Sequence, residues 1–270
     1  MKKDGDRSEK NLKRVVLVLV VLVALPWIHF ARQAFLCDGF KVKGHSMDPT
    51  MRQGGKVWVN KLIMGARIYK CFDFDKDTLS CFRLPGLRNI KVGDIAVFNY
   101  PRGWDDSHIS FKINYVYCKR CVGVPGDTVT IIKSQYHNSC VADIGIPAEN
   151  EIRLGATNDS LLIRAGVLNA GHFAGLQDVW TIKDFGPLLV PGKGITVLMN
   201  MNNLALYKDV IVYETRGSEE YWLDKYYTFR NNYYFFAGDN VLDSKDSRYF
   251  GFVPEDFIIG ITGFFTNFER

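Results

Sequence analysis

Residues 15–25 read VVLVLVVLVAL, and no other feature of this 270-residue chain restricts its fold as strongly. Pro26, Trp27, Ile28, His29, Phe30 and Ala31 carry the apolar run to Arg32. Roughly seventeen residues is the short end of what crosses a bilayer as a helix. Pro26 lies near the far end of the run, where a kink costs least. Trp27 falls where an interfacial tryptophan belongs. Lys2, Lys3, Arg7, Lys10, Lys13 and Arg14 precede the run. This basic flank predicts a cytoplasmic N-terminus and places the rest of the chain on the other side of the membrane. Two alternatives compete with an anchor. A cleavable signal peptide has the same basic and apolar regions, but Ala31-Arg32-Gln33-Ala34 offers no A-x-A site, and Phe35-Leu36-Cys37 is no lipoprotein site. A buried core helix fits poorly with so much valine behind a basic flank. The preferred division is a cytoplasmic tail at 1–14, an anchor at 15–33 and an extracytoplasmic domain at 38–270.

Beyond the anchor the chain reads as β. An aromatic content of 14% and 24 glycines favour strands. Short alternating or apolar segments fall at 55–60, 94–100, 114–118, 128–132, 194–198, 233–236 and 258–265. Gly-Asp turns at 93–94 and 126–127 launch two of them. Residues 133–229 are more polar and carry fewer tight motifs. They are expected to form an insertion or cap, with a short helix at 218–226, on a core made of 38–132 and 230–268. The net charge of +5 is mild, and the tail holds six of the basic side chains. The remainder is near neutral, which speaks against a nucleic-acid partner.

Six cysteines are too few for a disulfide scaffold of this size. Cys71 and Cys81 flank a short polar stretch and are compatible with a bridge in an oxidising compartment. Cys118 and Cys121 form a lone C-x-x-C. On a strand they would lie roughly 10 Å apart on opposite faces, too far to bridge. No second C-x-x-C or histidine pair completes a zinc site, and buried free thiols are the simpler expectation.

The chemistry-bearing segment is GHSMDPTM at 44–51. A serine hydroxyl attacks only when a base takes its proton. His45 adjoins Ser46, but in an extended segment neighbours point to opposite faces. His29 lies in the anchor, and His108, His137 and His172 sit in polar contexts with no motif around them. The G-x-S-x-G elbow is absent, because Asp48 stands two residues after Ser46. Lys119 offers another base. It lies among Val116, Tyr117, Cys118, Cys121 and Val122 on an expected strand, and burial favours its neutral form. A free lysine is neutral only about once in a thousand near pH 7.4. About 3–4 kcal/mol of destabilisation of the ammonium makes it a competent base. Taken alone, a strand lysine is as readily a snorkelling surface residue.

Four blocks together are more specific. They are GHSMDPT at 44–50, GDIAVF at 93–98, KRCVGVPGD at 119–127, and Gly238-Asp239-Asn240 continuing through Asp246-Ser247-Arg248 to Pro254. In this order, behind an apolar N-terminal segment, the chain resembles the bacterial type I signal peptidases, membrane-anchored Ser-Lys proteases. The resemblance covers about 15–132 and 230–268, with the insertion matching loosely. It implies a mainly β fold, a curled sheet or β-barrel catalytic core with an inserted cap, preceded by one transmembrane helix. It implies cleavage of signal peptides from secreted preproteins at small-x-small sites by an acyl-enzyme route. Position by position, Ser46 matches the nucleophile and Lys119 the base. Ser244 matches a serine that hydrogen-bonds the lysine amine, and Asp246 and Arg248 match a supporting pair. Val42, Met47, Met51, Tyr117 and Cys118 match positions that line the pockets for residues −1 and −3. The oxyanion falls to the Ser46 backbone N–H and an unnamed second donor, because Gly44 stands where many relatives carry a hydroxyl residue. No metal or cofactor is implied. The implied setting is the inner membrane, beside lipid and close to the secretion translocon. Two further readings are a self-cleaving Ser-Lys repressor, which would lack the anchor and carry a DNA-binding helix pair, and an anchored β module without activity, which would not need Ser46, Lys119 and Ser244 intact.

Overall fold

The structure, a computed structural model, describes residues 2–70, 79–103, 108–173 and 180–266. Cys71, one half of the bridge considered above, lies outside them; Cys81 carries a free thiol. Helix α1 (Lys2–Ala31) contains Pro26 and continues through a π-helical turn at Arg32–Leu36. Its apolar stretch, Leu12–Leu36, spans 25 residues and buries none of them against the rest of the chain. It is therefore longer at both ends than the anchor expected at 15–33. A helix that is apolar all round and buries none of its side chains has the form of a membrane span.

Seven antiparallel strands follow in the spatial order β1 (Cys37–Lys41), β2 (Lys56–Asn60), β14 (Ile258–Thr266), β5 (Ile95–Asn99), β6 (Val116–Gly123), β12 (Tyr233–Ala237) and β13 (Val253–Pro254). Toward the edge, β2 alternates as a one-sided strand should: Val57 and Val59 are buried, Lys56 and Trp58 exposed. The central β5 is buried at every position, because Ala96 and Phe98 face one core and Ile95 and Val97 another; β12 is also buried throughout, within the first core alone. One core is large and aromatic, including Phe98, Phe235, Phe236, Phe250, Phe252 and Phe257. The other is small: Met47, Met51, Val57, Val59, Ile95, Val97 and Ile259. Cys121 belongs to the first and Cys118 packs on the second, as opposite faces of β6 require. Register shifts in β14 and β12 add local twist and curl the sheet. Gly260 sits at one shift, where a Cβ would come within 2.7 Å of the Asn60 carbonyl.

Strand β7 (Thr128–Ile132) keeps Val129 and Ile131 in the large core but lies outside the seven-stranded sheet. It pairs with β8 (Gln135–Asn138) and β9 (Phe185–Leu189) in a separate three-stranded sheet. Helices α2 (Ala148–Ala156) and α3 (Asp159–Arg164) fill the connection. Next come β10 (Thr196–Leu198), α4 (Met201–Thr215) and β11 (Tyr226–Thr228), which pairs back onto β10. A small hairpin, β3 (Arg67–Tyr69) with β4 (Cys81–Arg83), and the one-turn α5 (Ser247–Phe250) complete the fold.

The expected helix at 218–226 is reduced to one 3-10 turn at Glu219–Trp222. Asp224 turns to positive φ, and Lys225 and Tyr226 are drawn toward β10. Three helices in this region went unforeseen. In α4, Leu204, Tyr207, Val210 and Ile211 are buried on one face, and the Asn200 side chain caps the start. Nor is the insertion a detached cap. Leu154, Leu162, Phe185, Leu188 and Tyr207 belong to the same core as Phe98 and Phe236.

Candidate active site

Ser46 lies in the loop between β1 and β2. This loop is not extended. Asp48 N–H donates to the His45 carbonyl (3.0 Å) and Met51 N–H to the Met47 carbonyl (2.9 Å), which winds 45–51 into a tight turn. The opposite-face rule for extended neighbours thus does not separate His45 from Ser46. The imidazole is occupied all the same: its Nδ1 lies 2.9 Å from Asp48 Oδ2 at an exposed position.

Lys119 sits mid-way along β6, opposite Ala96 of β5, and is 1% exposed. Its Nζ donates to Ser46 Oγ. Burial pulls the lysine pKa down to about 8, against the opposing pull of Asp246, Cys118 and Asp239; Arg248 adds to the lowering. At that value about a fifth of the amine is neutral at pH 7.4. The Tyr117 ring centroid lies 5.6 Å from Nζ. Arg120, the next residue, takes a different partner. It forks onto Asp239 with two 2.7 Å bonds and reaches the Gly93 carbonyl.

Asp246 and Arg248 are both fully buried and paired, Nε to Oδ1 at 2.8 Å. Asp246 also accepts from Gly238 N–H (3.0 Å), which ties the pair to the loop after β12. Ser244 departs from expectation. Its hydroxyl is buried, but it makes no hydrogen bond to Lys119 or to any other partner among the described residues. It packs instead against Gly238, where a Cβ would fall 2.2 Å from Ser244 Oγ and 2.4 Å from the Ser46 carbonyl. Only glycine lets these two segments approach so closely.

Gly238-Asp239-Asn240 was visible as a block, but no role was foreseen for its side chains. Asp239 accepts from Thr50 Oγ1 (2.5 Å) as well as from Arg120. Asn240 N–H donates to the Ser46 carbonyl (3.1 Å) and its Nδ2 to the His45 carbonyl (3.1 Å). The loop thus grips the Ser46 turn at three points.

A cleft of about 540 Å³ opens beside Ser46. Val42, Met47, Met51, Tyr117 and Cys118, the five residues expected to line it, all do so. Its floor is the smaller of the two cores: Met47 is 3% and Met51 0% exposed, and Cys118 Sγ lies 3.8 Å from Met51 Sδ. Phe40 and Val42 wall it on the β1 side. Gly44 lines the mouth, and a Cβ there would meet nothing within 4 Å. Burial pushes the Cys118 thiol up to about 12, so it serves as wall rather than nucleophile. Among the described residues no group of His, Cys, Asp and Glu is placed to hold a metal ion.

A buried amine on a serine hydroxyl, beside a largely apolar cleft, can support acyl transfer. Residues 12–148 and 196–266 match the family model described as signal peptidase, peptidase S26. Signal peptidase I of Buchnera aphidicola subsp. Baizongia pistaciae is 27% identical over 262 residues, covering 92% of this chain and 75% of that one. Signal peptidase I of Pseudomonas aeruginosa is 26% identical over 240 residues, covering 84% and 64%. Signal peptidase IB of Staphylococcus aureus is 26% identical over 254 residues, covering 94% and 90%. With the family model matched over most of its length, the chain belongs to the signal peptidase family, peptidase S26.

Proposed function

We propose that this member of the signal peptidase family removes signal peptides with Ser46 as the nucleophile and Lys119 as its general base. The observation that carries this reading is the hydrogen bond from Lys119 Nζ to Ser46 Oγ, made by an amine held near pKa 8. In the first step neutral Lys119 takes the hydroxyl proton while Oγ bonds to the scissile carbonyl carbon. The ammonium then protonates the leaving amine as the C–N bond breaks, which leaves an ester on Ser46. Lys119, neutral again, removes a proton from the water that hydrolyses the ester. The Ser46 N–H is one donor for the oxyanion. Ser244, buried without a partner beside this centre, is suited to take a hydrogen bond from the ammonium once Oγ has been acylated.

The cleft supports selection of small side chains at −1 and −3. A floor of Met47, Met51 and Cys118 offers apolar contact but little depth, so larger groups overlap its walls. The apolar α1 supports a single-pass anchor in the inner membrane. Its basic flank supports a cytoplasmic N-terminus, with the β domain on the extracytoplasmic side near lipid and the translocon. Incubation with a preprotein carrying an A-x-A site, followed by N-terminal sequencing of the product, tests this reading. The expected product begins immediately after the second small residue. Cleavage elsewhere, or cleavage that persists in Ser46→Ala, overturns it.

A further inference from the structure

We infer that Asn150 and Arg153, on helix α2 of the insertion, are positioning residues for the Ser46 turn. They stand three residues apart and so share a face of α2, and both reach the seam between that turn and the 238–240 loop. Asn150 is 5% exposed. A carboxamide nitrogen has two hydrogens to donate, and Asn150 uses both across the seam, one on the Asp48 carbonyl (2.9 Å) and one on the Asp239 carbonyl (2.7 Å). Arg153 donates to Asn240 Oδ1 at 2.5 Å. An arginine can only donate, so it holds the oxygen end of the Asn240 carboxamide toward itself. The nitrogen end then faces the His45 carbonyl, while the Asn240 backbone N–H holds that of Ser46. Asn150 thus holds the carbonyl of residue 48 directly, and Arg153, through the Asn240 carboxamide, orients the donor on that of residue 45. Residues 149–195 fall outside the segments matched by the family model, so this brace comes from the least family-like part of the chain.

The inference rests on Ser46 as the nucleophile. Attack geometry is sensitive to small shifts, and a misplacement of about 1 Å costs about 100-fold in rate. The test uses the full chain in detergent, with a preprotein substrate and Asn150→Leu, Arg153→Met and Arg153→Lys variants. For Asn150→Leu, of similar volume but without donors, kcat should fall roughly 10- to 100-fold with KM within about twofold. The pH midpoint of the rate should not move, because Lys119 is untouched. Arg153→Met should lose several-fold in kcat and Arg153→Lys should regain most of it. A merely structural role would lower the melting temperature while leaving the kcat of the folded fraction unchanged, and that result overturns the inference. If Asn150→Leu does not fold, the Arg153→Met and Arg153→Lys pair decides by the same criterion. Ser46→Ala run alongside separates the two failures. Cleavage by Ser46→Ala defeats the nucleophile assignment. A silent Ser46→Ala beside wild-type kcat in the α2 variants defeats the brace alone.

Discussion

Two buried cations stand close together in this molecule and are treated in opposite ways. Arg248 is wholly enclosed, yet its guanidinium meets both Asp246 oxygens and the Val241 carbonyl. Burial alone would lower the Arg248 pKa and raise that of Asp246. Their mutual attraction overcomes it, so Arg248 ends above and Asp246 below its ordinary value. Lys119 is just as enclosed, but the partner it holds is a hydroxyl, and burial prevails. The first cation is held by a carboxylate in direct contact and stays charged; the second has no carboxylate in direct contact, and part of it is neutral at ordinary pH. The difference teaches that burial by itself does not make a reactive lysine. Withholding a carboxylate from direct contact does.

The contrast can be broken most severely at the reactive end. Ser46→Ala and Lys119→Ala should each reduce preprotein cleavage by about 10⁴-fold or more with the circular dichroism spectrum preserved. Retained activity in Lys119→Ala would mean the enclosed amine is not the base. At the inert end, Arg248→Met leaves the Asp246 carboxylate buried without its partner. It should cost about 3–5 kcal/mol of stability, read as a lower denaturation midpoint. A shift well below that would mean that the pair is not a structural anchor.

The pH response sharpens the comparison next. Lys119 has a folded pKa of about 8, below its ordinary 10.5, so the folded chain binds fewer protons than the unfolded one between those values. Its burial cost is full below pH 8 and disappears as pH rises to 10.5. The Lys119 contribution should thus raise stability across that window by about 3 kcal/mol, and Lys119→Met should lack this rise. The cleavage rate should climb with pH through about 8, where the amine loses its proton. A rate governed near pH 6.5 would point to an imidazole instead. A smaller effect is expected at Gly44, where an added Cβ meets open space at the cleft mouth. If the oxyanion forms at the Ser46 N–H as proposed, Gly44→Ser adds a hydroxyl donor and should raise kcat by up to about tenfold. The smallest change is expected from His45→Ala, whose imidazole holds Asp48. Its cleavage rate should stay within about twofold of wild type.

Much of the candidate site was legible because its parts lie in short motifs that carry the family resemblance. Ser46, Lys119 and the five cleft residues, which the fold brings together, lie in two stretches, 42–51 and 117–119. The brace was not legible. Asn150 meets Asp48 across 102 positions, and what it meets is backbone carbonyl, which leaves no trace in residue type. Ser244 was placed beside the right neighbours, but its hydrogen bond to the lysine is not made, because Lys119 reaches toward Ser46. Five strands of the main sheet were readable from short apolar or alternating segments, whereas β1 and β13 were not. Strand β7 shows the same alternation, so nothing in its pattern tells that it pairs with β8 and β9 instead. The α4 helix was missed because its buried face, Leu204, Tyr207, Val210 and Ile211, is diluted by the polar residues of a half-exposed helix.

The junction between helix and sheet acts as a ruler. The apolar stretch ends at Leu36, and the cleft begins at Gly39, with only Cys37 and Asp38 between them. Three extended steps cover at most about 10 Å. With Leu12–Leu36 in a bilayer, the cleft has a short, fixed standoff from the end of the span. On the proposed anchoring, a signal peptide would meet the near edge of the cleft at that height, and the two residues Cys37 and Asp38 would favour substrates whose polar segment before the scissile bond spans the same gap.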